Sequence, residues 1–193
     1  MRRRGERKQE ILITVARMLE APAAEKITTA SLAARLGVSE AALYRHFASK
    51  AQMYEGLIEF IENGLFSTVN RIQAENSSGL KQARLILTLL LGFAQKNPGL
   101  TRVLTGEALV GEDPRLQARV DQLLDRLEAT VRQALKVAHA NGEALTGVEP
   151  AEHADIIVNF VLGRWQQYVR SGFKRDPSLL SASQWHALVP DPD

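Results

Sequence analysis

Tyr44, Arg45, His46 and Lys50 crowd into the stretch "LYRHFASK", with Thr28, Thr29 and Ser39 a little upstream. Phenol, guanidinium, imidazole and ammonium groups all donate hydrogen bonds, and two of them carry positive charge at neutral pH. No nucleophile, base and orienting residue can be assembled from one motif anywhere in the chain, so the expectation is not an enzyme. A set of stiff donors and cations suits the holding of an anion.

The elements that must present these groups read as helices. Thr28 or Thr29 can cap the start of "ITTASLAARLG", where Leu32, Ala33 and Leu36 face inward and Gly37 suits a left-handed residue at the end. Val38 alone separates Gly37 from the next cap, Ser39. Two short helices joined so tightly cannot lie antiparallel and must cross steeply, as in a helix-turn-helix, and Ala33 is small enough for that crossing. Val38 and Leu43 can form a hydrophobic staple that fixes the entry angle of the third helix.

At about 100° per residue, Leu43 and Phe47 point together toward the first two helices, while Ala41, Tyr44, Arg45 and Ala48 lie opposite and His46 falls on the flank. A helix that shows small residues early (Ala41, Ala42) and long polar ones later can enter a major groove and then grip phosphates. Ser39 and Glu40 stand at its start. Tyr44 and His46 are then donors at the groove wall and Lys50 adds a point charge. Thr28 or Thr29, with the free amides of the second helix, offers another phosphate seat. The competing reading packs Tyr44 on Met53 or Tyr54 and leaves His46 an ordinary boundary residue.

Charge supports the anionic partner. Residues 1–50 hold ten Lys and Arg against five Glu, a surplus of five. The whole chain carries only +2, so the remainder is −3. The positive quarter suggests nucleic acid at one end. The chain has no cysteine, and His46, His139, His153 and His186 show no metal-ligand spacing, so no metal or cofactor is expected. No run reaches the ~18 apolar residues that span a bilayer, and with no cysteine present the expectation is a cytoplasmic protein.

The rest is helical in period too, giving an all-α chain of about nine helices. The first runs from about Arg7 to Glu20 and is broken by "APAAEK". "KAQMYEGLIEFIENGLFSTVNRIQ" and "LKQARLILTLLLGFAQK" follow, the latter apolar nearly all round and stopped by "NPG". "TRVLTGEALV", a long helix from Pro114 to "ANG", "PAEHADIIVNFVLGRWQQYVRSG" and "DPSLLSASQWHALV" complete it. Glu112 and Asp113 read as helix-entry residues before Pro114. The expected division is a helix-turn-helix DNA-binding domain over residues 1–52 and a larger helical domain over 53–193, to which the resemblance described next assigns dimerisation and partner binding.

"ITTASLAARLGVSEAALYRHFASK" resembles the DNA-binding domain of the TetR family. The resemblance implies that Ser39, Glu40, Ala41 and Ala42 approach base edges of palindromic DNA while Thr29, Tyr44, His46 and Lys50 hold phosphates. It also implies a homodimer paired through the last two helices, here around Ile156 to Val169 and Leu179 to Leu188. Gly163 would allow a close crossing there.

Many members are ligand-responsive repressors with a cavity in the second domain. Here "LILTLLLGF" has Thr88 as its one polar side chain, which favours a filled core; a pocket near Phe93, Trp165 and Tyr168 is the alternative. "LIEFIEN", "LTLLLGFAQKNPGLTRVLTGEAL", "QARVDQLLDRLEATVRQALK" and "YVRSGFKRDP" resemble the nucleoid occlusion branch of the family. That resemblance implies a factor that, when bound to DNA as a homodimer or a higher-order assembly, captures the carboxy-terminal tail of the division protein FtsZ and blocks septation over the chromosome. A shallow groove on the fourth and fifth helices would serve, with Phe60 exposed, Leu89 as floor, Gly92 admitting a peptide backbone, and Lys96 and Arg102 at the rim. Thr68 departs from the arginine usual in the family.

Overall fold

The computed structural model describes residues 4–21, 27–143 and 147–190. "APAAEK" beyond Ala21, together with Arg2 and Arg3 of the basic terminus, lies outside them. Among the described residues the chain forms nine α-helices and no strand. They are α1 (Arg4–Met18), α2 (Thr29–Leu36), α3 (Glu40–Tyr44), α4 (Lys50–Glu75), α5 (Gly79–Lys96), α6 (Pro98–Leu104), α7 (Pro114–Ala140), α8 (Pro150–Arg170) and α9 (Ala182–Leu188), with a 3-10 turn at Glu107–Leu109.

Two compact units divide these helices. The first comprises Met1–Ile61 and Asn97–Val120, and the second Glu62–Lys96 and Asp121–Asp193. Packing thus assigns α6 to the unit that holds α1–α3.

In the first unit the apolar face of α1 (Ile11, Leu12, Val15) is buried with Leu32, Ala33, Leu43 and Phe47. Burial of each large aliphatic side chain stabilises the unit by about 1.5–3 kcal/mol. α6 lies so close to α1 that a Cβ on Gly99 would sit 2.0 Å from the Ala16 carbonyl oxygen. Only glycine permits that approach. Arg102, one turn further along α6, donates from Nη1 to the carbonyls of Leu19 (2.8 Å) and Ala21 (2.6 Å). Its Nε lies 3.0 Å from the Glu107 carboxylate. A buried guanidinium therefore satisfies the carbonyls left open where α1 ends.

In the second unit Ile86, Leu87, Leu90 and Leu91 of α5 are buried, as are Ile157, Val161 and Trp165 of α8. Trp165 is fully buried, and its indole N–H donates to the Leu90 carbonyl at 3.1 Å. The start of α5 rests on the end of α7: a Cβ on Gly79 would come within 2.1 Å of the Ala138 nitrogen. Glu143 accepts hydrogen bonds from Ser78 Oγ (2.7 Å) and the Leu80 amide (3.1 Å), closing that corner.

Two element boundaries differ from expectation. α6 begins at Pro98, inside the expected "NPG" stop, because proline at the first helical position loses no helical hydrogen bond. It ends before Gly106, whose φ of +76° is left-handed, and "EAL" after it becomes the 3-10 turn. α9 is only seven residues long. The stretch before it is held open by Arg164, which donates to the carbonyls of Asp176, Pro177 and Leu179, and Ser181 then caps the helix with Gln184 in a reciprocal pair.

Candidate nucleic-acid interface

The helix-turn-helix is built by capping. Thr28 Oγ1 accepts from the Ser31 amide at 3.0 Å while Ser31 Oγ accepts from the Thr28 amide at 3.1 Å, so two of the open donors at the start of α2 are satisfied. Gly37 ends the helix at φ +64°, with its amide bonded to Ala34 and that of Val38 to Ala33. Ser39 caps α3 by accepting from the Ala42 amide at 3.3 Å. These local choices turn the chain sharply and leave α3 with one anchored side, Leu43, while Ala41, Tyr44 and Arg45 are exposed.

Tyr44 is 47% exposed, so its ring is not packed into the core. His46 is half-buried, with Nδ1 inside and without a hydrogen-bond partner among the described residues. Lys8 of α1 places its ammonium 5.3 Å from the centre of the Phe47 ring, next to His46. Nothing local in the sequence links residue 8 to residue 47.

Two of the expected phosphate donors are already engaged. Thr29 Oγ1 donates to Glu40 Oε2 at 2.5 Å, a charge-assisted bond joining the starts of α2 and α3. A hydroxyl has one proton, so Thr29 cannot donate it to a phosphate as well. Lys50 is paired with Glu112, and its ammonium stands 5.7 Å from the Tyr54 ring centre. Glu112 is therefore more than a helix-entry residue. Asp113 keeps that part: its Oδ1 accepts from the Arg115 amide at 3.0 Å. Hydrogen bonds from the Arg115 side chain and backbone hold the Asp113 carboxyl down at about 2.

The residues expected to meet a protein tail fall differently. Phe60, in the first unit, is 39% exposed. Leu89, Gly92 and Lys96 recur at helical spacing along α5 in the second unit, and the space beside Gly92 is open. Thr68 Oγ1 donates back to the Gly64 carbonyl at 3.3 Å. Arg102 is a correction: at 4% exposure, and committed to Leu19, Ala21 and Glu107, it cannot form a rim. Two aromatics of the alternative pocket are bonded to α5, Trp165 through the Leu90 carbonyl and Tyr168 through its hydroxyl on the Gln95 carbonyl at 3.3 Å.

Residues 12–57 match the family described as "Bacterial regulatory proteins, tetR family", and residues 78–191 match "Tetracyclin repressor-like, C-terminal domain". The nucleoid occlusion factor SlmA of Idiomarina loihiensis is 46% identical over 182 residues, covering 94% of this chain and 93% of that protein. SlmA of Marinomonas sp. is 44% identical over 187 residues, covering 97% and 95%. A TetR transcription regulator from Haloarcula marismortui superposes with a TM-score of 0.77 at 16% identity, covering 96% of this chain and 98% of that one. That likeness shows the fold alone. Matches to both halves of the architecture, and relatives of this identity spanning nearly every residue, establish that the chain belongs to the TetR family and, within it, to the SlmA group.

Proposed function

We propose that this chain is a nucleoid occlusion factor: it binds palindromic chromosomal sites as a homodimer and, on DNA, captures the carboxy-terminal tail of FtsZ so that no septum closes over the nucleoid. The observation that carries the reading is full-length similarity, 44–47% identical, to proteins named nucleoid occlusion factor. The helix-turn-helix supplies the DNA-binding end, with Ser39, Ala41, Ala42, Tyr44, Arg45 and His46 on or beside its presented surface.

Exposed apolar positions support a second copy of the chain. Ile156 is 53% exposed on α8, Leu179 is 70% exposed, and Gly163 has open space around it. Covering such groups with their counterparts would bury them at a two-fold interface. The two recognition helices of the dimer then meet half-sites about 34–36 Å apart, or a multiple of that.

The tail-binding face is Leu89, Gly92 and Lys96 on α5, within the second unit. Lys96 is exposed and suits an acidic tail. Capture of an FtsZ tail peptide, measured with and without operator DNA, tests the reading. Lys96→Glu is expected to abolish capture while DNA affinity stays unchanged. Failure of the wild-type protein to hold the peptide on DNA returns the chain to the ligand-responsive repressors.

A further inference from the structure

The bond between Thr29 and Glu40 joins two residues that look as though they should act separately. Glu40 is exposed at the first position of α3, the helix whose next residues, Ala41 and Ala42, are small enough to let its backbone approach a base pair. A carboxylate there faces the field of the DNA phosphates and is repelled by it. Thr29 and the start of the helix account for the carboxylate in the free protein, and on DNA an amino donor on a base edge would offset that repulsion. The Thr29 hydroxyl fixes the carboxylate at 2.5 Å through one oxygen, Oε2, and leaves the other without a partner from Thr29.

We propose that Glu40 is a sequence-reading residue that selects cytosine in each half-site, and that Thr29 is its positioning residue rather than a phosphate contact. The inference rests on the DNA-binding reading above. Cytosine presents its N4 amino group in the major groove with no acceptor of its own beside it. Adenine sets the N7 acceptor next to its amino group, where it opposes a carboxylate; guanine presents only acceptors, and thymine an acceptor and a methyl group. A pinned carboxylate therefore discriminates for cytosine. The pinning also lowers the entropy lost when Glu40 engages the base.

The test is selection of bound duplexes from a random-sequence double-stranded library by the full-length chain, followed by affinities for single-base-pair variants of the enriched site. The wild type is expected to enrich a two-fold symmetric site with an invariant cytosine in each half. Glu40→Gln should move that position toward adenine, since a carboxamide both donates and accepts, with a loss of discrimination for cytosine of roughly tenfold. Thr29→Val should keep the preference but blur it at that same base pair, and Thr29→Ser should restore it. An enriched site that Glu40→Gln leaves unchanged at every position overturns the proposal and spares the DNA-binding reading. Uniform weakening of all duplexes by Thr29→Val, with a shallower salt dependence, makes Thr29 a phosphate contact and also overturns it. Enrichment of no sequence by the wild type removes both.

Discussion

Lys50 at the start of α4 is ion-paired with Glu112, which stands just ahead of α7, and the Tyr54 ring lies 5.7 Å from the same ammonium. The cation expected at a phosphate is thus held by a carboxylate from the same unit. A DNA backbone bound at this end would have to compete with Glu112 for it.

Glu112→Gln should release that competition. DNA affinity rises severalfold for all sequences alike, and the dependence of log K on log salt steepens by up to about 0.9, the increment of one added phosphate contact. Lys50→Met should weaken binding and make Glu112→Gln silent in the same chain. A gain that survives in the double variant shows that Glu112 acts by long-range repulsion instead of through Lys50.

Burial first, and the neighbouring Glu112 charge second, push the Tyr54 phenol up to about 12 from its ordinary 10. The folded state therefore favours the protonated phenol. Its contribution is complete below pH 10 and is lost as pH rises from 10 toward 12, because the unfolded chain releases the proton first. Two units correspond to about 2–3 kcal/mol. Urea unfolding of the wild type at pH 9 and pH 11 should show about half of that loss, roughly 1.4 kcal/mol, and Tyr54→Phe should lack this part of it.

Arg102→Ala removes the donor for the Leu19 and Ala21 carbonyls and strands Glu107. The expected cost is about 2–4 kcal/mol of stability, from unmet buried groups. Thermal unfolding checks it. A variant as stable as the wild type but unable to hold the tail peptide would instead restore Arg102 to the partner surface.

Two glycines give a paired prediction. Gly99→Ala drives a methyl into the Ala16 carbonyl and should destabilise the chain by about 1–3 kcal/mol or more. Gly92→Ala meets nothing within 4 Å and should leave stability unchanged or raise it by up to about 1 kcal/mol, because alanine favours a helix interior. Reduced capture of the FtsZ tail peptide by Gly92→Ala, with stability intact, locates the peptide on α5.

The sequence discloses what is decided within a few residues. Thr28, Gly37 and Ser39 are caps and a turn whose chemistry is local, so the helix-turn-helix could be read directly from them. The exposure of Phe60 followed in the same way from its place off the Met53, Leu57 and Ile61 stripe. Arg102 failed that kind of reading because its partners are Leu19 and Ala21, about eighty positions away, and nothing near it distinguishes a buried cation from a surface one. The Lys50 pair with Glu112, the Lys8 contact with Phe47 and the bond from Thr29 to Glu40 were hidden for the same reason. α9 came out short because Arg164 holds the backbone carbonyls of the preceding stretch, a task no periodicity announces.

The placement of α6 against α1 sets a limit on modular reuse. An amino-terminal piece ending within α4 loses the residue that seals the Leu19 and Ala21 carbonyls and the backbone that covers Ala16. Grafting this DNA-reading end onto another body therefore requires transplanting α6 along with it, so a chimaera with a single crossover point discards part of its own foundation.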